Sequence, residues 1–237
     1  MATLAPATAV DQSFWQKMMI GIAVFIVFGF AQFALRGFVQ PAQAPIHVHL
    51  HGLVMLSWLG LSIVQAALIQ RDNLALHRRL GWIGVLLAAA VVVTGSYAGL
   101  RAIETGRQPP FFSPGYFLAL TQIGIAFFAA LVAFAVVRRR QTEWHRRLML
   151  GALIMIVEPA LGRLLPMPFI MPWGEWLVLA IQLGVFAIVM RHDRKVLGHV
   201  HPATLAAMLV VTLSHVVVEA VARIPAWIAL AEGMVVV

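Results

Sequence analysis

The 237-residue sequence contains no cysteine, which excludes disulfides, thiolate metal sites and thiol catalysis in any compartment. Charge is scarce as well. Only 11% of residues are charged against 62% hydrophobic, and the mean hydropathy is +0.91. A soluble core and surface cannot both be built from that composition, so the chain reads as an integral membrane protein whose first partner is the lipid bilayer. The only lysines, Lys17 and Lys195, fall at the ends of apolar runs, which excludes a retinal-type Schiff base inside a span. Met1–Ser13 lacks a basic leader region, and the apolar run behind it is long enough to span, so no cleaved signal peptide is expected. Nucleic-acid binding is not implied by the formal charge of +8, because the basic residues sit in short runs between apolar stretches.

A crossing of the hydrocarbon core takes about 20 mostly apolar residues. Seven stretches qualify: Met18–Leu35, Leu50–Ile69, Leu80–Leu100, Tyr116–Val137, Leu148–Leu165, Pro172–Met190 and Ala203–Val221. None alternates with the two-residue period of a barrel strand, so the expected fold class is all-α, a single transmembrane bundle over residues 1–237. Twelve basic residues (Lys17, Arg71, Arg78, Arg79, Arg138, Arg139, Arg140, Arg146, Arg147, Arg191, Arg194, Lys195) then fall on one side. Five (Arg36, Arg101, Arg107, Arg163, Arg223) fall on the other. The positive-inside rule predicts a cytoplasmic N-terminus and a periplasmic C-terminus in a bacterial inner membrane. The aromatic and proline-rich loops QPPFFSPGY and LPMPFIMPWGEW lie on the outer side.

Ionisable residues inside spans are costly and therefore functional candidates. His47, His51, Tyr97, Gln122, Glu158, Arg163, His215, Glu219 and Arg223 fall in the outer half and can meet around one cavity. His47 and His51 are four apart, as are His215 and Glu219, so each pair projects from one helical face. Ion pairing of Glu219 with Arg223 and of Glu158 with Arg163 is the plainer alternative, with His47 and His49 resting among headgroups. His51 and His215 lie deeper.

On the inner side lie His77, His145, His192, His199 and His201. LHRRLGW at Leu76–Trp82 recurs as WHRRLML at Trp144–Leu150, with a looser echo in GHVHPATL at Gly198–Leu205. The repeated His-Arg-Arg is either a topology signal or a ligand site. In the second case His77 and His145 face one another at one depth, as a bis-imidazole haem requires, with the arginines placed for its propionates.

The run HGLVMLSWLG at His51–Gly60, with LHRRLGWIGVLLAAAVVVTG at Leu76–Gly95, resembles the cytochrome b561 family and its bacterial relatives. The whole chain is also similar to bacterial multi-pass membrane proteins with HRxxG helix openings. The b561 resemblance implies two b haems between paired histidines, with His51 and His77 as ligands and His145 the partner of His77. Span four carries no histidine, so the partner of His51 falls to His215 on span seven, and seven spans exceed the six typical of that family.

The sequence therefore points first to a membrane electron-transfer protein that binds haem b through His77, His145, His51 and His215 and exchanges electrons with a quinone or a membrane redox partner. A second possibility is a metalloenzyme of hydrolase or oxidase type. It would hold zinc or non-haem iron near the periplasmic face with His47, His51, His215, Glu219 and Glu158, and the carboxylate left over, Glu158 or Glu219, would act as general base. A third is a proton-responsive transporter, sensor or assembly factor without chemistry.

Overall fold

A computed structural model describes residues 9–236, so the reading of Met1–Ser13 lies largely outside the described residues. Among those described, every regular element is helical. Six helices are long and apolar enough to cross a membrane: α1 (Ala9–Leu35), α2 (Ile46–Gln70), α3 (Leu74–Glu104), α4 (Pro114–Val137), α8 (Gly174–Leu197) and α9 (Pro202–Val221). Large apolar side chains such as Phe28, Leu53, Leu86 and Leu209 point outward from them. That is the surface of a multi-pass membrane protein, because a water-soluble chain does not expose apolar faces on this scale.

The helices outrun the apolar runs wherever the flanking residues supply caps. The α2–α3 hinge turns in three residues, with Asp72 in the left-handed region (φ 53°) that Asp and Asn tolerate best. Asn73 then caps α3 by accepting the Leu76 N–H at 3.2 Å, which starts the helix six residues before the expected Leu80. At the far end Arg101 pairs with Glu104 and extends it.

The fifth apolar stretch is not one helix. It divides into α5 (Thr142–Met155) and α6 (Glu158–Leu164), separated by Ile156 and Val157. Pro159 is the cause. It has no N–H for the Met155 carbonyl four residues earlier, and its ring crowds that carbonyl. The short α7 (Met167–Ile170) follows, and α10 (Pro225–Glu232) folds back onto α4.

α4 is central, packing on α3, α5, α9 and α10, while α1 packs on α2, α5 and α6. Small residues allow the closest approaches. A Cβ on Gly151 of α5 would stand 2.6 Å from that of Ala207 on α9, and one on Gly29 of α1 would stand 2.9 Å from that of Ala160 on α6. Alternating chain direction brings the basic turns after α2, α4 and α8 to the end of the bundle where α1 begins. Arg146–Asp11, Arg147–Asp193 and Trp144–His201 contacts tie that end together.

Candidate functional site

The two His-Arg-Arg openings have different surroundings. At the mouth of α3, Arg78 and Arg79 are exposed, whereas His77 turns inward. At the mouth of α5, which is enclosed by α1, α4, α8 and α9, the arginines are drawn into a buried ion network. Arg146 donates to Asp11 at 2.6 Å and to Glu143 at 2.5 Å. Arg147, 1% exposed, pairs with Glu143 and with Asp193, itself 0% exposed. Asp193 also accepts from the Thr204 hydroxyl at 2.5 Å and the His201 N–H at 3.1 Å. Asp11 accepts from Trp15 at 2.9 Å and His192 at 2.8 Å, and Phe14 stacks flat on His192. Burial beside Arg147 holds the His201 imidazole below its ordinary pKa. Arg146 and Arg147 are thus held inside the bundle, because the buried Asp11 and Asp193 need partners.

His77 and His145 approach one another. Their ring centroids are 6.4 Å apart and their planes meet at 85°. α3, which carries His77, packs mainly on α2 and then on α4, whereas α5, which carries His145, packs mainly on α4; the two helices do not pack closely on one another. His145 Nδ1 lies 2.9 Å from the Ala135 carbonyl of α4, which can only accept, so the neutral ring carries its proton there and Nε2 keeps a free lone pair. His77 Nδ1 is buried with no hydrogen-bond partner, and so is Oε1 of Gln65 on the neighbouring α2.

Midway through the bundle, the break between α5 and α6 is bridged by Gln182 of α8. Its amide donates to the Ile154 and Met155 carbonyls, each at 3.1 Å. The Met155 carbonyl is the one Pro159 leaves open. With its nitrogen so engaged, Gln182 turns Oε1 to His215, whose Nε2 donates at 2.9 Å. His215 therefore clamps the clamp.

His51 has a separate partner. The Thr94 hydroxyl donates to the Ala90 carbonyl at 2.6 Å, so it accepts from His51 Nδ1 at 3.1 Å and leaves His51 Nε2 free. His47 meets the Tyr97 ring edge to face, and Gln122 bonds with Ser96. His199 is exposed and turned to its own backbone. His51 is thus held against α3 and His215 against α8, so the shared outer cavity expected for them is not assembled. Among the described residues, no three His, Asp or Glu side chains converge on a point that could hold a metal ion. Of the set His47, His51, His215, Glu219 and Glu158, the first two contact α3, His215 bonds Gln182 of α8, and Glu219 bonds Tyr116 and Arg223.

The acids at the other end follow the plainer expectation in part. Glu219 accepts from Arg223 at 2.8 Å and from the Tyr116 hydroxyl at 2.7 Å. Arg163 does not reach Glu158. It bonds the Pro159 carbonyl at 2.7 Å and lies over Phe30 at 4.0 Å. Glu158 instead lies within electrostatic reach of Glu175, and Glu175 within reach of Glu219.

Four important residues were missed in the sequence: Asp11, Asp193, Glu175 and Gln182. With only nine acids in the chain, an acid at the mouth of an apolar run is itself a signal. So is a lone amide inside one. No protein-family model matches the chain, and no curated protein or solved structure matches it either.

Proposed function

We propose that this chain crosses a bacterial inner membrane seven times, holds one b-type haem between His77 and His145, and exchanges electrons with a quinone or a redox protein in the bilayer. The fifth crossing is the broken α5–α6 pair, the N-terminus is cytoplasmic and the C-terminus periplasmic, in keeping with the twelve-to-five division of basic residues. The carrying observation is the pair of opposed imidazoles, 6.4 Å between centroids.

The residues fit the group. His77 and His145 would hold the haem iron between their imidazoles, whose centroids lie 6.4 Å apart. The Ala135 carbonyl fixes the His145 ring and raises the basicity of its free Nε2, the usual office of a partner behind a ligating histidine. His77, beside the Gln65 backbone, contributes a buried Nδ1 without a hydrogen bond. Arg78 and Arg79, exposed at the mouth of α3, are placed to pair with propionates, while Arg146 and Arg147 are already committed to acids. When bound, haem supplies the one-electron chemistry. An outer haem between His51 and His215 is not part of the proposal, because those imidazoles have separate partners. Visible absorption of the purified protein, with and without each inner histidine, tests the reading.

A second reading is favoured by the broken fifth span. Interrupted helices at bundle depth are common where transporters bind ions, so a proton-responsive protein without redox chemistry accommodates α5–α6 directly. A purified protein that takes up no haem and yet moves protons in vesicles would select it.

A further inference from the structure

At the end opposite the ion network, Glu219 pairs with Arg223 and Glu104 with Arg101, whereas Glu158 and Glu175 have no ion pair among the described residues. Glu175, the second residue of α8, is 4% exposed, and its Oε2 is buried with no hydrogen-bond partner. Glu158, half-buried, opens α6 immediately after the break. Glu219 approaches from α9.

Glu219 of α9, Glu158 of α6 and Tyr116 of α4 lie within electrostatic reach of Glu175. The other titratable groups on these elements are His215 of α9, Arg223 just after it and Arg163 of α6. The charged residues of α5 lie at the other end, bound to Asp11 and Asp193. Arg223 and Tyr116 take up both oxygens of Glu219, the arrangement of an ionised carboxylate. Arg163 faces a carbonyl and two rings. His215 is occupied with Gln182. Glu158 and Glu175 are left within electrostatic reach of one another, and Glu175 of Glu219, with no ion pair of their own among the described residues. Two neighbouring carboxylates in a medium of low dielectric cannot both ionise. A divalent metal is not the remedy, since no metal-ligating group is assembled here.

We propose that Glu158 and Glu175 together bind one exchangeable proton at the end of the bundle where α4 and α8 begin. Glu219 is the fixed negative neighbour that favours proton uptake, and Tyr116 and Arg223 hold it in place. Departure of the proton would leave two facing carboxylates beside the joint between α5 and α6, so proton occupancy acts directly on the broken span. This inference is independent of haem.

Infrared spectroscopy of the whole protein in nanodiscs tests it. At neutral pH the wild type should show one protonated-carboxyl stretch per chain that shifts in D2O and shifts again when glutamate is carbon-13 labelled. The band should be lost when Glu158→Gln and Glu175→Gln are combined, and kept in Glu104→Gln, whose carboxylate is paired with Arg101. The labelled wild type decides the matter if the double variant does not fold. Absence of any such band at neutral pH, a band that labelling leaves unmoved, or one that survives the double substitution would overturn the proposal.

Discussion

The side-chain amide of Gln182 lies 3.1 Å from the Met155 carbonyl, the group that Pro159 deprives of its helical donor. One residue on α8 thereby supports a broken span that its own chain cannot complete. Replacing Gln182 by Leu leaves the buried Met155 carbonyl without its donor, while the Ile154 carbonyl keeps the Val157 N–H, and about 1–3 kcal/mol of stability should be lost. Thermal unfolding in detergent measures this. His215→Ala should cost less, since it removes only the group that orients the amide. Equal stability of Gln182→Leu and wild type would show that the break needs no external cap.

The ion network at the opposite end makes a contrasting pair of expectations. Asp193→Ala leaves the buried Arg147 guanidinium with Glu143 alone and should cost up to about 3–5 kcal/mol. Arg223→Ala removes half of a pair in which the arginine is 77% exposed and should cost about 0–1 kcal/mol. Unfolding of the two variants side by side checks the order. Similar losses in both would mean that the network around Arg147 is as solvated as the surface pair.

Topology follows from the basic turns. Reporter fusions after Arg140 and after Arg194 should both report cytoplasm, and a fusion at Val237 should report periplasm. A cytoplasmic report at Val237 would mean that α5 and α6 do not together complete a crossing.

Much of the fold was legible because lipid imposes it: long apolar runs can only be helices, and their basic turns sort to one end. The break in the fifth run was encoded too, in Glu158-Pro159, and a proline inside an apolar run is the warning. The fate of the two His-Arg-Arg motifs was not legible. Identical residues are exposed on α3 and buried on α5 because α5 alone is surrounded, and the acids that receive Arg146 and Arg147 lie 135 and 46 residues away. Glutamine gave no charge to notice, so Gln182 passed as an ordinary span residue. The approach of His77 and His145 was an expectation from their matching positions at two helix mouths, and in the structure their ring centroids lie 6.4 Å apart.

The haem reading stands on those two rings, and reduced-minus-oxidised visible spectroscopy of protein purified from cells supplied with haem addresses it most directly. The account predicts a single b-type component in the wild type. His77→Ala and His145→Ala should each abolish it in a protein that still inserts and folds, whereas His51→Ala and His215→Ala should keep it. A wild-type protein without haem absorbance, or a b-type signal that survives loss of both His77 and His145, would contradict it.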